Sequence, residues 1–387
     1  MSRLRLPGAI DAHVHGRDPG FPDKEDFGSL TAAARAGGVT TVLDMPNNVP
    51  APWSGELLAA KAAAVEPRAR VDFGLWGLLR SSSTEAQVRE LAAAGAIGFK
   101  AYLGYSYRPS LGTVTYGLDP GDEPPPSYDT LDRLGPALAE AGLPVAVHAE
   151  DPEELLAAAR PVATYADLLA SRPAEAEAVA IRRCAGVARR HGFHLHVVHL
   201  ASAAGVEAVR AARAAGTRMS VEVTPNHLWL AADDYERVGP FMKMFPLVRT
   251  EEDRSALRSA LLAGEIDTIG TDHAPHTGFD KDRPLAEAHA GSPGVQWLYV
   301  AAFEFARRFG GDPLLAVKWV ADNPARIFGL APNGEVEVDD AAVTRVGEGA
   351  LSRQPRSALD GLEFGFRVVA VHAPERGRWV RPAVRPA

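Results

Sequence analysis

The chain has 387 residues, more than one small domain needs and about right for a single large α/β domain with an appendage. Hydrophobic residues make up 46% and charged residues 23%, the balance of a globular chain that buries a sizeable core. The formal net charge of −8 argues against nucleic acid or an anionic membrane as the main partner, and a single cysteine excludes an intrachain disulfide.

In chain order, residues 1–8 are basic with no apolar leader core behind them, and no apolar run reaches the ~18 residues of a membrane span. A cytoplasmic enzyme acting on a small molecule is the simplest expectation. Apolar strand-like runs follow at 8–15, 39–46, 71–79, 96–103, 144–150, 194–200, 219–225 and 268–274. Between them lie Ala-, Leu- and Arg-rich stretches such as 29–36, 84–94, 175–190 and 203–215, which have helical periodicity and often end in Gly. Cys184 falls in one of these and reads as a core filler. About eight strand–helix units predict an α/β fold, a (β/α)8 TIM-like barrel, with an open doubly wound sheet as the rival. No glycine-rich dinucleotide loop follows the first strand, which counts against that rival.

Two stretches break the alternation. Residues 104–127 are rich in Gly, Pro, Tyr and Asp and predict a long loop over the barrel mouth. Beyond residue 332 the helical pattern stops, and strand-like runs at 336–338 and 366–371 predict a small C-terminal β appendage ending in a mobile Arg/Pro-rich tail. The expected division is a hydrolase barrel over 1–332 and the appendage over 333–387.

The chemistry lies at the strand ends. His13 and His15 are two apart on the first strand, so they project the same way, and paired imidazoles suit a divalent metal. His148, His199 and Asp272 end the fifth, sixth and eighth strands. The C-terminal strand ends are where α/β barrels build active sites. Lys100 stands within the apolar fourth strand, where a lone ammonium is costly. Two readings stay open: a lysine that ion-pairs or snorkels out of the mouth, or a neutral amine carbamylated by carbon dioxide between two cations.

These motifs carry a resemblance. Asp11–Gly20 with Lys24-Glu25-Asp26, Met45-Pro46-Asn47, Gly98–Leu103, His148-Ala149-Glu150, Glu222–Pro225, Arg249–Asp253, Thr271–His276 and Asn323–Phe328 follow one another in the order found in dihydroorotases of the amidohydrolase superfamily. The chain resembles most those with a lysine on the fourth strand, including the dihydroorotase domain of the animal multifunctional pyrimidine protein. The resemblance implies a binuclear site of two divalent ions, zinc by expectation. His13 and His15 would bind one ion, with Asp272 in contact. Carbamylated Lys100 would bridge to a second ion held by His148 and His199. It implies reversible hydrolysis of dihydroorotate to N-carbamoyl-aspartate in de novo pyrimidine biosynthesis, with Asp272 as proton shuttle. Arg17, Asn47 and His276 would hold the substrate carboxylate. His227 is expected to support the site from behind. His191, His194, His196 and His289 are read as surface or packing residues with no role.

The chain departs from the family in three places. Phe245-Pro246-Leu247-Val248-Arg249 stands where the family often has Asn-Pro-Pro-Leu-Arg, so a polar group near the ring is missing. The 104–127 loop is unlike the short threonine-bearing loop of relatives. The barrel begins almost at Met1, without the usual N-terminal half of a β-sandwich. The alternatives are a hydantoin or allantoin hydrolase, which needs no cation at Arg17, and a non-catalytic scaffold for aspartate carbamoyltransferase. A homo-oligomer and a carbamoyltransferase partner are both compatible with the resemblance.

Overall fold

A computed structural model describes residues 3–383. After a short first strand, β1 (Arg3–Pro7), all eight expected runs form strands. They are β2 (Ala9–Val14), β3 (Val39–Asp44), β4 (Asp72–Leu79), β5 (Gly98–Tyr102), β8 (Val145–His148), β9 (Leu195–Val197), β10 (Met219–Val223) and β11 (Thr268–Ile269). The sheet order is β11-β10-β9-β8-β5-β4-β3-β2, and every pairing is parallel. The sheet closes where Val14 bridges His273 and the His15 N–H donates to the His273 carbonyl at 2.7 Å. Buried Asp11 ties the same seam by accepting from Thr271 N at 3.0 Å and Thr271 Oγ1 at 2.5 Å. This is the (β/α)8 barrel that the alternation predicts.

Helices cover the outside because their apolar faces meet the outward side chains of the strands. Their ends follow local chemistry. Asp26 caps Phe27–Ala36 by accepting from Gly28 N and Ser29 N, and Thr84 with Gln87 forms a capping box on Glu85–Ala94. Inside the barrel, Ile10, Ala12, Leu43, Trp76, Ala146 and Phe328 form a separate core beneath the mouth. Cys184 is fully buried in its helix, as expected of a core filler. No helix among the described residues is long and apolar enough to cross a membrane.

One irregularity matters for function. Ile10 and Ala12 pack in the inner core, whereas Ala9 and Val14 pack in the outer one. Strict alternation would then send His13 and His15 outward. The register of β2 against β3 shifts between Asp11 and Val14, and both histidines line the cavity at the mouth. The bulge re-aims the strand end.

The 104–127 stretch, expected as a loop, contains a hairpin of β6 (Tyr105–Arg108) and β7 (Thr113–Tyr116). Arg108 pairs with Asp122 at 2.8 Å and also with Asp119, which braces the hairpin base. In the appendage, β12 (Glu335–Asp339) lies between β1 and β15 (Arg367–His372), and β13 (Thr344–Arg345) pairs with β14 (Glu363–Phe364). The N-terminal strand thus joins the C-terminal sheet. The tail does not hang free: Val380 N donates to Phe73 O at 2.8 Å and Ala383 N to Gly329 O at 2.9 Å. Residues 384–387 lie outside the described ones.

A buried ion pair supports the loop after β2. Lys61 Nζ lies 2.7 Å from Asp44 Oδ2, and Asp44 Oδ1 accepts from Gly16 N at 2.7 Å. Both side chains are sealed from solvent. Lys61→Met strands the Asp44 charge and is expected to destabilise the fold by about 3–5 kcal/mol in chemical denaturation. A loss below about 1 kcal/mol would show that Asp44 does not need this partner.

Candidate active site

A cavity of about 290 Å³ opens at the C-terminal ends of the barrel strands. All nine residues singled out from the sequence line it: His13, His15, Arg17, Asn47, Lys100, His148, His199, Asp272 and His276. Six barrel strands, at their ends or in the loops after them, supply these side chains, in keeping with the general siting of function in such barrels.

Three of the nine hold left-handed backbone without being glycine: Arg17 at φ 57°, His199 at φ 41° and Asp272 at φ 48°. They are the only such residues among those described. Each conformation costs on the order of 1–3 kcal/mol, so the surrounding packing must over-determine it. Strain confined to one cavity marks that cavity as the functional one.

The imidazoles are oriented from behind. His13 Nδ1 lies 2.8 Å from Glu222 Oε1 and His15 Nδ1 lies 2.8 Å from Asn47 Oδ1. The tautomer in which both Nδ1 atoms donate to these oxygens leaves both Nε2 atoms bare. Asp272 Oδ1 lies 3.2 Å from His13 Nε2 and 2.9 Å from His15 Nε2. In that tautomer three acceptor atoms converge on one point, a spacing that a cation between them relieves. Their geometry suits a metal ion.

The second pair repeats the pattern. His148 Nε2 donates to Glu150 Oε2 at 2.7 Å, and Arg172 pairs with the same carboxylate oxygen at 2.5 Å. His148 Nδ1 then faces His199 Nε2 at 3.0 Å, while His199 Nδ1 is buried without a partner. Burial holds His13, His148 and His199 below the ordinary histidine pKa, so they stay neutral. Lys100 Nζ is fully buried and has no hydrogen-bond partner. Burial lowers its pKa to about 7 against the opposing pull of Asp272 and Glu222. Burial raises the Asp272 carboxyl, but the cationic forms of His13, His15 and Lys100 beside it would outweigh that and hold it below the usual range. Bare imidazole nitrogens, a carboxylate and an orphaned buried amine fit a site for divalent cations.

The mouth has a different character. Arg17 is buried, donates Nε–H to Pro275 O at 3.3 Å and places Nη2 3.1 Å from His276 Nε2. It forms no ion pair among the described residues. The hairpin roofs the cavity with Tyr105, Leu111, Val114 and Tyr116. Tyr105 stands edge-on to His148, and Tyr116 edge-on to Phe245, whose ring also lies 3.8 Å from the Arg172 guanidinium.

Residues 4–380 fit the model of the amidohydrolase family. The chain belongs to the amidohydrolase family. This amidohydrolase is 36% identical over 334 residues to an allantoinase of Streptomyces avermitilis, covering 86% of this chain and 72% of that one. It is 34% identical over 347 residues to a dihydroorotase of Pediococcus pentosaceus, covering 88% and 77%. Among solved structures it superposes on an L-hydantoinase (dihydropyrimidinase) from Arthrobacter aurescens with a TM-score of 0.85 at 26% identity, covering 98% and 87%.

Sequence reasoning missed several residues of this amidohydrolase site. Glu222 and Glu150 appeared only as motif members, although a carboxylate ending an apolar strand is itself a signal. Gly270 makes room for Glu222: a Cβ there would lie 2.3 Å from Glu222 Oε2. His289, given no role, lines the mouth with Lys24. His196 is buried and stacks on Trp76 below the site, and His227 bonds Thr224 Oγ1 at 2.7 Å behind it. Asn47 lines the cavity as expected but spends its carbonyl oxygen on His15. Glu222→Leu removes the acceptor that sets the His13 tautomer. Divalent-ion affinity, read by chelator competition, is expected to fall about 10–100-fold, and an unchanged affinity would remove Glu222 from this role.

Proposed function

We propose that this amidohydrolase is a dihydroorotase, opening the cyclic amide of dihydroorotate to N-carbamoyl-aspartate and closing it in reverse. The observation that carries the reading is Arg17, a buried guanidinium without an ion-pair partner facing the cavity of the metal-type cluster. A buried cation calls for an anion, and a guanidinium matches a carboxylate with paired donors. The hexagonal ring of dihydroorotate carries such a carboxylate beside the amide. Support also comes from relatives named dihydroorotase.

His13, His15 and Asp272 would hold one divalent ion, and His148 and His199 a second, with carbamylated Lys100 between them. Lys100 suits that place because its orphaned amine interacts electrostatically with His13, His148 and His199. Zinc fits the histidine-rich donor set. When bound, such ions lower the pKa of a water and polarise a carbonyl oxygen. The residues do the rest. Arg17 and His276 grip the carboxylate and fix the ring, while Phe245 and the hairpin tyrosines wall the cavity against bulk water. Asp272 meets the imidazoles through Oδ1, leaving Oδ2 to take the proton of the attacking water and return it to the leaving ring nitrogen.

The second reading is hydrolysis of an uncharged ring such as allantoin or a hydantoin. The apolar wall of Leu111, Val114 and Phe245 favours it, as do relatives named allantoinase. Arg17→Met separates the two. It is expected to cut dihydroorotate turnover roughly 30-fold or more while leaving metal content and activity on dihydrouracil intact. Wild-type preference for the uncharged ring, or equal loss on both, would hand the site to the second reading. Asp272→Asn keeps the shape but cannot take the proton, and kcat is expected to fall by about 10²–10⁴. Turnover within about tenfold of wild type would exclude the proton shuttle.

A further inference from the structure

Lys24 enters the cavity from the loop after β2. Its ammonium lies 3.1 Å from His276 Nδ1, 3.4 Å from His289 Nδ1 and 3.3 Å from Asp280 Oδ2. An ammonium has three N–H bonds and accepts none, so these three atoms are its acceptors. Both imidazoles must turn a bare Nδ1 toward it. A neutral imidazole with a bare Nδ1 carries its proton on Nε2. His276 is neutral, because burial and then the Arg17 cation press its pKa well below the ordinary value.

That assignment creates a conflict 3.1 Å away. His276 Nε2 faces Arg17 Nη2 at this distance, and Arg17 only donates. Two N–H groups then point at each other with no acceptor between them. Such a pair is relieved when a negatively charged oxygen enters and takes both. His276, Asp280 and His289 also have the spacing of a cation site, and the Lys24 ammonium supplies a cation there from within the chain.

We propose that Lys24 is a positioning residue that locks His276 in its Nε2–H form, so that His276 and Arg17 together make a donor-only receptor for a carboxylate. The identity of that carboxylate rests on the dihydroorotase reading, whereas the tautomer lock does not. Without Lys24, Asp280 Oδ2, 3.8 Å from His276 Nδ1, is the remaining acceptor. The proton moves to Nδ1, Nε2 accepts from Arg17, and the receptor closes on itself.

The test uses metal-loaded full-length protein labelled with ¹⁵N-histidine, with the His276 signals assigned by their loss in His276→Gln. Wild type is expected to show a protonated Nε2 on His276, and Lys24→Met a protonated Nδ1. Malonate, an unreactive carboxylate probe, should shift the His276 Nε2 signal in wild type and not in Lys24→Met. In kinetics, Lys24→Met should raise KM for dihydroorotate about tenfold with kcat reduced less than about threefold. Lys24→Arg should restore part of that loss. An Nδ1-protonated His276 in wild type, or one tautomer shared by wild type and Lys24→Met, overturns the lock. If wild type fails to turn over dihydroorotate, the substrate reading falls, while the nitrogen spectra still decide the role of Lys24.

Discussion

Asp272 Oδ1 sits within 3.2 Å of two imidazole nitrogens that the structure keeps bare, and that crowding of acceptors is the constraint around which the mouth is organised. Lone pairs crowded at such a spacing are relieved by positive charge between them. Every layer behind them serves to keep them there. Glu222 and Asn47 take the outer protons of His13 and His15, Glu150 takes that of His148, and Arg172 neutralises Glu150. The backbone contributes as well, since Asp272 and His199 stay in left-handed conformations that isolated residues avoid. A cluster this costly persists because the barrel wall is closed and rigid beneath it. Asp11 clasps Thr271 at the seam, and Trp76, Phe328 and His196 fill the interior below.

The cavity has two electrostatic poles with opposite logic. At its base, acceptors converge and await cations. At its mouth, the cationic side chains of Arg17 and Lys24 gather around His276, which lies between them as a neutral relay. Arg17 stands two residues beyond His15, so one turn of chain after β2 serves both poles. The aromatic roof of Tyr105, Tyr116 and Phe245 adds a flat apolar surface between the two poles.

Much of this was legible in the residues themselves. Apolar runs separated by helical periods dictated strands with crossovers, because a strand buried on both faces must be apolar and parallel neighbours need a helix between them. Polar residues at the ends of those runs, His13, His15, Lys100, His148, His199 and Asp272, had no place in a core and therefore marked the mouth. The hairpin within 104–127 was not legible, because its Gly, Pro and Asp content signals turns while its short strands pair with each other and with nearby Glu123 rather than with the barrel. The fastening of the tail was hidden for a similar reason: its hydrogen bonds go to Phe73 and Gly329, far away in sequence.

Residue type and spacing along the chain therefore determined the barrel, the ring of strand ends and the chemical kind of site. Tertiary structure alone decided how those groups are aimed. The register shift in β2 turns His13 and His15 inward, although the parity set by Ile10 and Ala12 points them out. Glu222, Glu150 and Lys24 choose which nitrogen of each imidazole carries its proton, across separations of up to 252 residues. A histidine's tautomer depends on the atom opposite its second nitrogen, and that atom is supplied by folding, which no local pattern encodes.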